Sequence, residues 1–211
     1  MEIIKDNSDK YGGFKMEERK KSIFKRWWFW IIIAIVIISS LWRGGRPETK
    51  IPTKTNNNPT KKAEQASKVT YDNFLKIKMG AKLKDVTALL GEGSEQSSSE
   101  VGGIKTVTYT WNGSGISNMN VTVQNEAVTG KAQAGLQEMD AKVTLEKYNK
   151  VKQKMTYAQV KAILGEGQII SQTKIMNIES IIYEWINKDG SNMNGSFTGG
   201  KLEMKAQFNL K

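Results

Sequence analysis

The sequence predicts an α+β fold. It would comprise a single N-terminal transmembrane helix, then two tandem repeats, each a helix-loop-helix plus a four-stranded antiparallel sheet. Three observations carry this expectation. A run of sixteen uncharged residues extends from Trp27 to Trp42. The C-terminal part matches itself at a constant offset of 74 residues. Within each copy the apolar spacing changes from three and four residues, a helical stripe, to two, a strand alternation.

Composition narrows the chemistry. The chain has 211 residues, 38% hydrophobic and 25% charged, which is room for one or two domains. It contains no cysteine and no histidine. That removes the commonest general base, thiolate nucleophiles, disulfides and metal sites built on imidazole or sulfur. It also removes the acylated cysteine of a lipoprotein. Carboxylate pairs remain, but no two acids stand out at a catalytic separation, and Glu138 and Asp140 fall in the join between repeats. The Gly91-Glu92-Gly93 run lacks the further glycines and the preceding strand of a phosphate loop. No enzyme, cofactor or metal is expected.

The net charge of +11 is uneven: +3 over residues 1–26, +5 over 43–69 and +3 over 70–211. A nucleic-acid binder concentrates its basic residues on the folded domain. Here they flank an apolar run, where Lys and Arg meet anionic headgroups. No nucleic-acid partner is expected.

Residues 1–26 read as a basic cytoplasmic tail. Residues 27–42 read as a transmembrane signal anchor, about 24 Å long as a helix. Trp27, Trp28, Trp30 and Trp42 stand at its two ends, where interfacial tryptophans lie. A cleaved signal peptide is the rival, but the leader is long and Ser39-Ser40 runs straight into Leu41-Trp42. Five Lys or Arg fall in the eight residues before the run and three in the eight after it. That bias sets the N-terminus inside and the C-terminal domain outside. Residues 43–69 hold all three prolines with repeated Thr, Asn and Lys, and read as a flexible linker.

The repeats cover 70–137 and 144–211. At the 74-residue offset 68–137 shares 23 identities with 142–211 over 70 positions, without a gap. Leu90-Gly91-Glu92-Gly93 recurs as Leu164-Gly165-Glu166-Gly167, and Ser117-Asn118-Met119-Asn120 as Ser191-Asn192-Met193-Asn194. Four-residue runs at one offset mark a duplication.

Each copy opens with helical spacing: Tyr71, Phe74 and Leu75, then Leu83, Val86, Leu89 and Leu90 in the first. The second has Tyr148 and Val151, then Tyr157, Val160, Ile163 and Leu164. Thr156 with Gln159 predicts a capping box, and Gly91 and Gly165 predict helix-ending glycines. Strand alternation follows at Val107-Tyr109-Trp111, at Met119-Val121-Val123 and at Ala132-Ala134-Leu136, after a poorly marked strand near 94–99. Gly102-Gly103, Asn112-Gly113 and Asn125-Glu126 supply turns.

Two helices ending in Leu-Gly-Glu-Gly, a strand with Tyr-x-Trp and a polar strand, all duplicated, resemble the tandem domains of the β-lactamase inhibitory protein. The Gram-positive surface domains grouped as DUF3862 are similar, and the single repeat is distantly similar to the SmpA/OmlA outer-membrane lipoproteins. The resemblance covers 68–211. It implies two sheets side by side, a concave surface and protein binding as the activity. The chain departs from it in lacking the inhibitor's disulfide cysteines and in carrying the apolar run.

Tyr109 with Trp111, and Tyr183 with Trp185, point to one face of their strands. They either pack under the helices beside Val107 and Ile181 or stand on the rim as interface anchors. The opposite face is expected to collect Thr106, Thr108, Thr110, Asn118, Asn120, Lys131 and Gln133 from the first copy. From the second it collects Ser180, Glu184, Asn192, Asn194, Lys205 and Gln207. Its amides and hydroxyls suit protein backbone or sugar. Thr108, Asn118, Asn120, Gln133, Asn192, Asn194 and Gln207 are the candidate partner-binding residues. The expected function is a membrane-anchored extracellular protein-binding module, an inhibitor or scaffold of an envelope enzyme. The alternative is an adaptor for anionic or glycan cell-wall polymer.

Overall fold

The computed structural model describes residues 59–211. Helix α1 (Pro59–Lys68) precedes the first repeat, which opens with α2 (Tyr71–Lys76) and α3 (Leu83–Leu90). Four strands follow: β1 (Ser94–Val101), β2 (Ile104–Asn112), β3 (Asn118–Gln124) and β4 (Ala127–Ala134). The second repeat has α4 (Leu145–Lys150) and α5 (Tyr157–Leu164), then β5 (Gln168–Ile175), β6 (Ile178–Ile186), β7 (Asn192–Thr198) and β8 (Lys201–Phe208).

The expected helix order and four strands per copy are present. Two parts of the expected fold class are corrected. The eight strands form one antiparallel sheet in the order β1 to β8, not two sheets. β4 and β5 pair across the repeats at Gly130–Thr173, Lys131–Gln172 and Ala132–Ser171. An open strand edge is a template for pairing, and the neighbouring repeat supplies the strand. The junction is pinned on the helix side, where the Ile169 N–H donates to the Tyr71 hydroxyl at 2.7 Å. Ile169 itself packs against the core of the first repeat.

The second correction concerns the helices. Those among the described residues are few and short, at most ten residues. None is long and apolar enough to cross a membrane. The expected transmembrane helix at 27–42, with Trp27, Trp28, Trp30 and Trp42, lies outside the described residues, as does the tail 1–26. The fold is therefore mostly sheet, and the expected N-terminal helix has no support in it. Residues 59–68, which composition assigned to the linker, are helical.

The caps follow the sequence. Thr70 Oγ1 accepts from Asn73 N–H at 3.2 Å, and Thr144 Oγ1 from Lys147 N–H at 3.2 Å. The Thr156–Gln159 box closes both ways, at 2.8 and 3.3 Å. Gly91 and Gly165 end α3 and α5 with φ of +83° and +86°, a region that favours glycine.

Each repeat has its own core between helices and sheet. The first is built on Phe74, Val86, Leu90, Trp111, Met119 and Val121. The second is built on Val151, Val160, Leu164, Trp185, Met193 and Leu202. Among the described residues no helix packs on the other face of the sheet.

Candidate functional site

The uncovered face can be built from the strand registers. One row of paired residues crosses all eight strands: Ser97, Thr108, Thr122, Gly130, Thr173, Ser180, Thr198 and Lys201. A parallel row reads Ser94, Thr110, Asn120, Ala132, Ser171, Ile182, Ser196 and Met204. At ~4.8 Å per strand each row spans roughly 34 Å. Neighbouring hydroxyls bond one another, Thr108 to Thr122 at 3.1 Å and Ser180 to Thr198 at 3.2 Å.

The two halves of the face differ. At the 74-residue offset Thr108 becomes Ile182, Asn112 becomes Ile186, Gly130 becomes Met204 and Ala134 becomes Phe208. The first repeat therefore presents hydroxyls and amides, and the second adds aliphatic and aromatic groups. Met204 and Phe208 are exposed.

The asparagines lie on this face as expected. Asn118 and Asn120 are neighbours on β3, with Asn120 Nδ2 donating to Asn118 Oδ1 at 3.4 Å. Asn194 Nδ2 donates to Asn192 Oδ1 at 3.2 Å in the second repeat. Thr110 Oγ1 donates to Asn120 Oδ1. The corresponding residue in the second repeat is Glu184, which instead accepts from Gln168 Nε2 at 3.0 Å. Burial pushes the Glu184 carboxyl above the usual range, and the Gln168 bond draws it back. Asn194 Oδ1 is thereby left buried with no donor among the described residues.

Four residues expected on this face lie on the other one: Lys131, Gln133, Lys205 and Gln207. The cause is a bulge in each last strand. The β3–β4 register shifts between Thr122 and Val123, and the β7–β8 register between Ser196 and Phe197. One extra residue reverses which side chains face the helices. Lys131 pairs with Val121 and Gln133 with Met119, both core positions. Lys131 is 4% exposed, and its Nζ donates to the Phe74 and Ile77 carbonyls at 2.8 Å each, capping the end of α2. Burial lowers its pKa to about 8. Lys205 repeats the motif, donating to the Tyr148 carbonyl at 2.6 Å with its Nζ 3.8 Å from that ring's centre. Gln133 is spent on the junction, donating to the Ile169 carbonyl at 3.1 Å.

The aromatic pairs face the helices. Trp111 and Trp185 are fully buried in the two cores. Tyr109 and Tyr183 are partly buried against the same cores. Tyr183 stacks on Tyr157 with ring centres 4.0 Å apart. Tyr157 also receives the Gly167 N–H at 3.2 Å, and burial raises its pKa to about 12. Sequence reasoning missed Ile182, Ile186, Met204 and Phe208. The signal was present in the aligned copies, as small or polar residues becoming large apolar ones at outward positions.

The comparisons with known proteins can be set against this geometry. A family model described as β-lactamase inhibitor (BLIP) matches residues 70–185, more than half of the chain. Among solved structures, a presumptive β-lactamase inhibitor protein from Streptococcus mutans, at 1.40 Å resolution, is similar with a TM-score of 0.56. That match is 19% identical and covers 65% of this chain and 94% of that one, which is a likeness of fold. No curated protein matches. The duplicated helix-and-strand unit and the family match agree: this chain belongs to the β-lactamase inhibitor (BLIP) family.

Proposed function

We propose that the chain is a protein-binding module that receives an envelope protein on the uncovered face of its sheet, acting as an inhibitor or scaffold of that partner. The observation that carries this reading is the divergence of the face, with Ile182, Ile186, Met204 and Phe208 added on one half of a surface otherwise made of small hydroxyls and amides. Apolar contacts ringed by hydrogen-bonding groups are how protein interfaces are built. Family membership supports binding rather than catalysis. The uncharged run 27–42 supports a membrane location, with the excess of basic residues before it favouring the repeats on the outer side.

The test is capture of envelope proteins by the full chain in detergent, read by mass spectrometry. One stoichiometric protein, lost when Asn120 and Asn194 are changed to Arg, supports the reading. Equal capture by that variant sinks the uncovered face as the site.

The hydroxyl row favours a second reading, a glycan partner. It no longer draws on Lys131 and Lys205, which are spent on backbone carbonyls, so binding of an anionic polymer loses two of its expected cations. Binding of isolated wall glycan that survives protease treatment of the wall would favour this reading.

A further inference from the structure

Among the described residues the duplication leaves an edge strand at each side of the sheet. β1 is one edge, and all eight of its residues are exposed. β8 is the other edge. Its start is covered, since Lys154 N–H donates to the Leu202 carbonyl at 2.7 Å and Leu202 N–H to the Met155 carbonyl at 2.8 Å. From Met204 onward no strand among the described residues lies beside it. The same two surfaces meet once inside the chain. β4 is the copy of β8, β5 is the copy of β1, and they pair at the junction. The start of β4 is covered in the same way, by Gly80 N–H to the Val128 carbonyl at 2.7 Å and Val128 N–H to the Ala81 carbonyl at 2.8 Å. Each molecule therefore carries both halves of a second junction, one on each edge.

We propose that β1 of one copy of this chain pairs antiparallel with β8 of a second copy in the register of the internal junction. Shifted by 74 residues, that register sets Ser99 against Met204, Ser98 against Lys205 and Ser97 against Ala206. The three serines are small and exposed. Ser98 falls on the helix side beside Lys205, as Gln172 does beside Lys131. Gln207 keeps the pose of Gln133: its Oε1 accepts Leu210 N–H at 3.0 Å, as Gln133 accepts Leu136 N–H at 3.3 Å. Its Nε2 is thereby turned to the free edge, where the Glu95 carbonyl of the second copy would stand in for that of Ile169. Leu145, Met204 and Phe208 are all exposed at this edge, and an added strand covers part of them.

One anchor is not repeated. The Tyr71–Ile169 contact becomes Leu145 against Glu95, so the contact between copies is weaker than the internal junction and depends on concentration. It is also heterologous: each added copy exposes a fresh edge, and growth is open-ended.

The absence of cysteine makes site-specific crosslinking clean. Full chain carrying Ser97→Cys and Ala206→Cys, both exposed positions, would be oxidised and run without reductant. The two sites lie on opposite edges of the sheet, so a bond between them joins two molecules. The expected result is a ladder of oligomers, a dimer when the two single variants are mixed, and no ladder from Ser97→Cys with Phe208→Cys, which is out of register. Ala132→Cys with Ser171→Cys, the internal pair, shows that oxidation works. A monomeric S97C/A206C chain under conditions that close the internal pair overturns the proposal. So does equal dimerisation of A206C alone, which would mean β8 pairs with itself.

Discussion

The indole Nε1 of Trp111 donates to the Gly91 carbonyl at 2.9 Å, and Trp185 does the same to Gly165 at 2.9 Å. This bond ties the end of the second core helix of each repeat to the penultimate residue of its second strand, twenty residues on. It explains two motifs at once. The first glycine of Gly-Glu-Gly turns the chain and presents its carbonyl. The second lets the indole lie against bare backbone, since a Cβ on Gly93 would stand 2.6 Å from the Trp111 ring and one on Gly167 2.6 Å from that of Trp185.

Gly93→Ala is therefore expected to destabilise the first repeat by about 1–3 kcal/mol, the usual cost of overpacking. Urea unfolding followed by tryptophan fluorescence checks it. Trp111→Phe removes the indole N–H that reaches the Gly91 carbonyl and also opens space in the core, for a loss of at least about 1–3 kcal/mol.

Lys131 makes stability depend on alkaline pH. Its folded pKa of about 8 lies below the ordinary 10.5, because burial disfavours the ammonium. Between those values the unfolded chain holds the proton and the folded chain has lost it, so stability rises with pH across this window. Tyr157, raised to about 12, acts the other way above pH 10. The urea midpoint is expected to climb from pH 7.5 to 9.5, and Lys131→Met to flatten the climb. An unchanged slope in that variant would assign it to another group.

Tyr71→Phe removes the acceptor that holds the Ile169 N–H. A half-buried donor left unpaired costs about 1–3 kcal/mol. Hydrogen exchange should quicken at Ile169 and Gln172 while the amides of Val121 and Met193, inside the two cores, keep their protection.

Ile182→Thr returns the second repeat to the residue that the first holds at Thr108. On the uncovered face this should weaken partner capture about tenfold, or ~1.4 kcal/mol, within the range of a single interface anchor. The unfolding midpoint serves as the control and should move little. A loss of stability as large as the loss of capture would make Ile182 structural.

The repeat, the helix caps, the strands and the turns were legible because each rests on local chemistry. Thr156 and Gln159 are three residues apart, and Asn125-Glu126 turns where both take positive φ, 46° and 66°. The joining of the sheets was not legible, because it depends on Ile169 meeting Tyr71, 98 residues away. The facing of the last strands was not legible either. An alternation such as Lys131-Ala132-Gln133 fixes which residues share a side but not which side meets the helices. The bulge at the start of the strand decides that. A lysine read as outward is, in the fold, the cap of a helix end.

The junction between repeats has three paired rungs, whereas the adjoining β3–β4 and β5–β6 pairs have seven each. Each repeat also closes its own apolar core. Cooperativity is therefore expected to stop at this boundary. In tandem arrays stability resolves into the units and their interfaces, and here the interface is the thin part. Heating or pulling the chain should separate the halves before either one melts, giving two transitions rather than one. The junction then serves as a hinge between two foldons, and strain applied by a bound partner would be relieved there first.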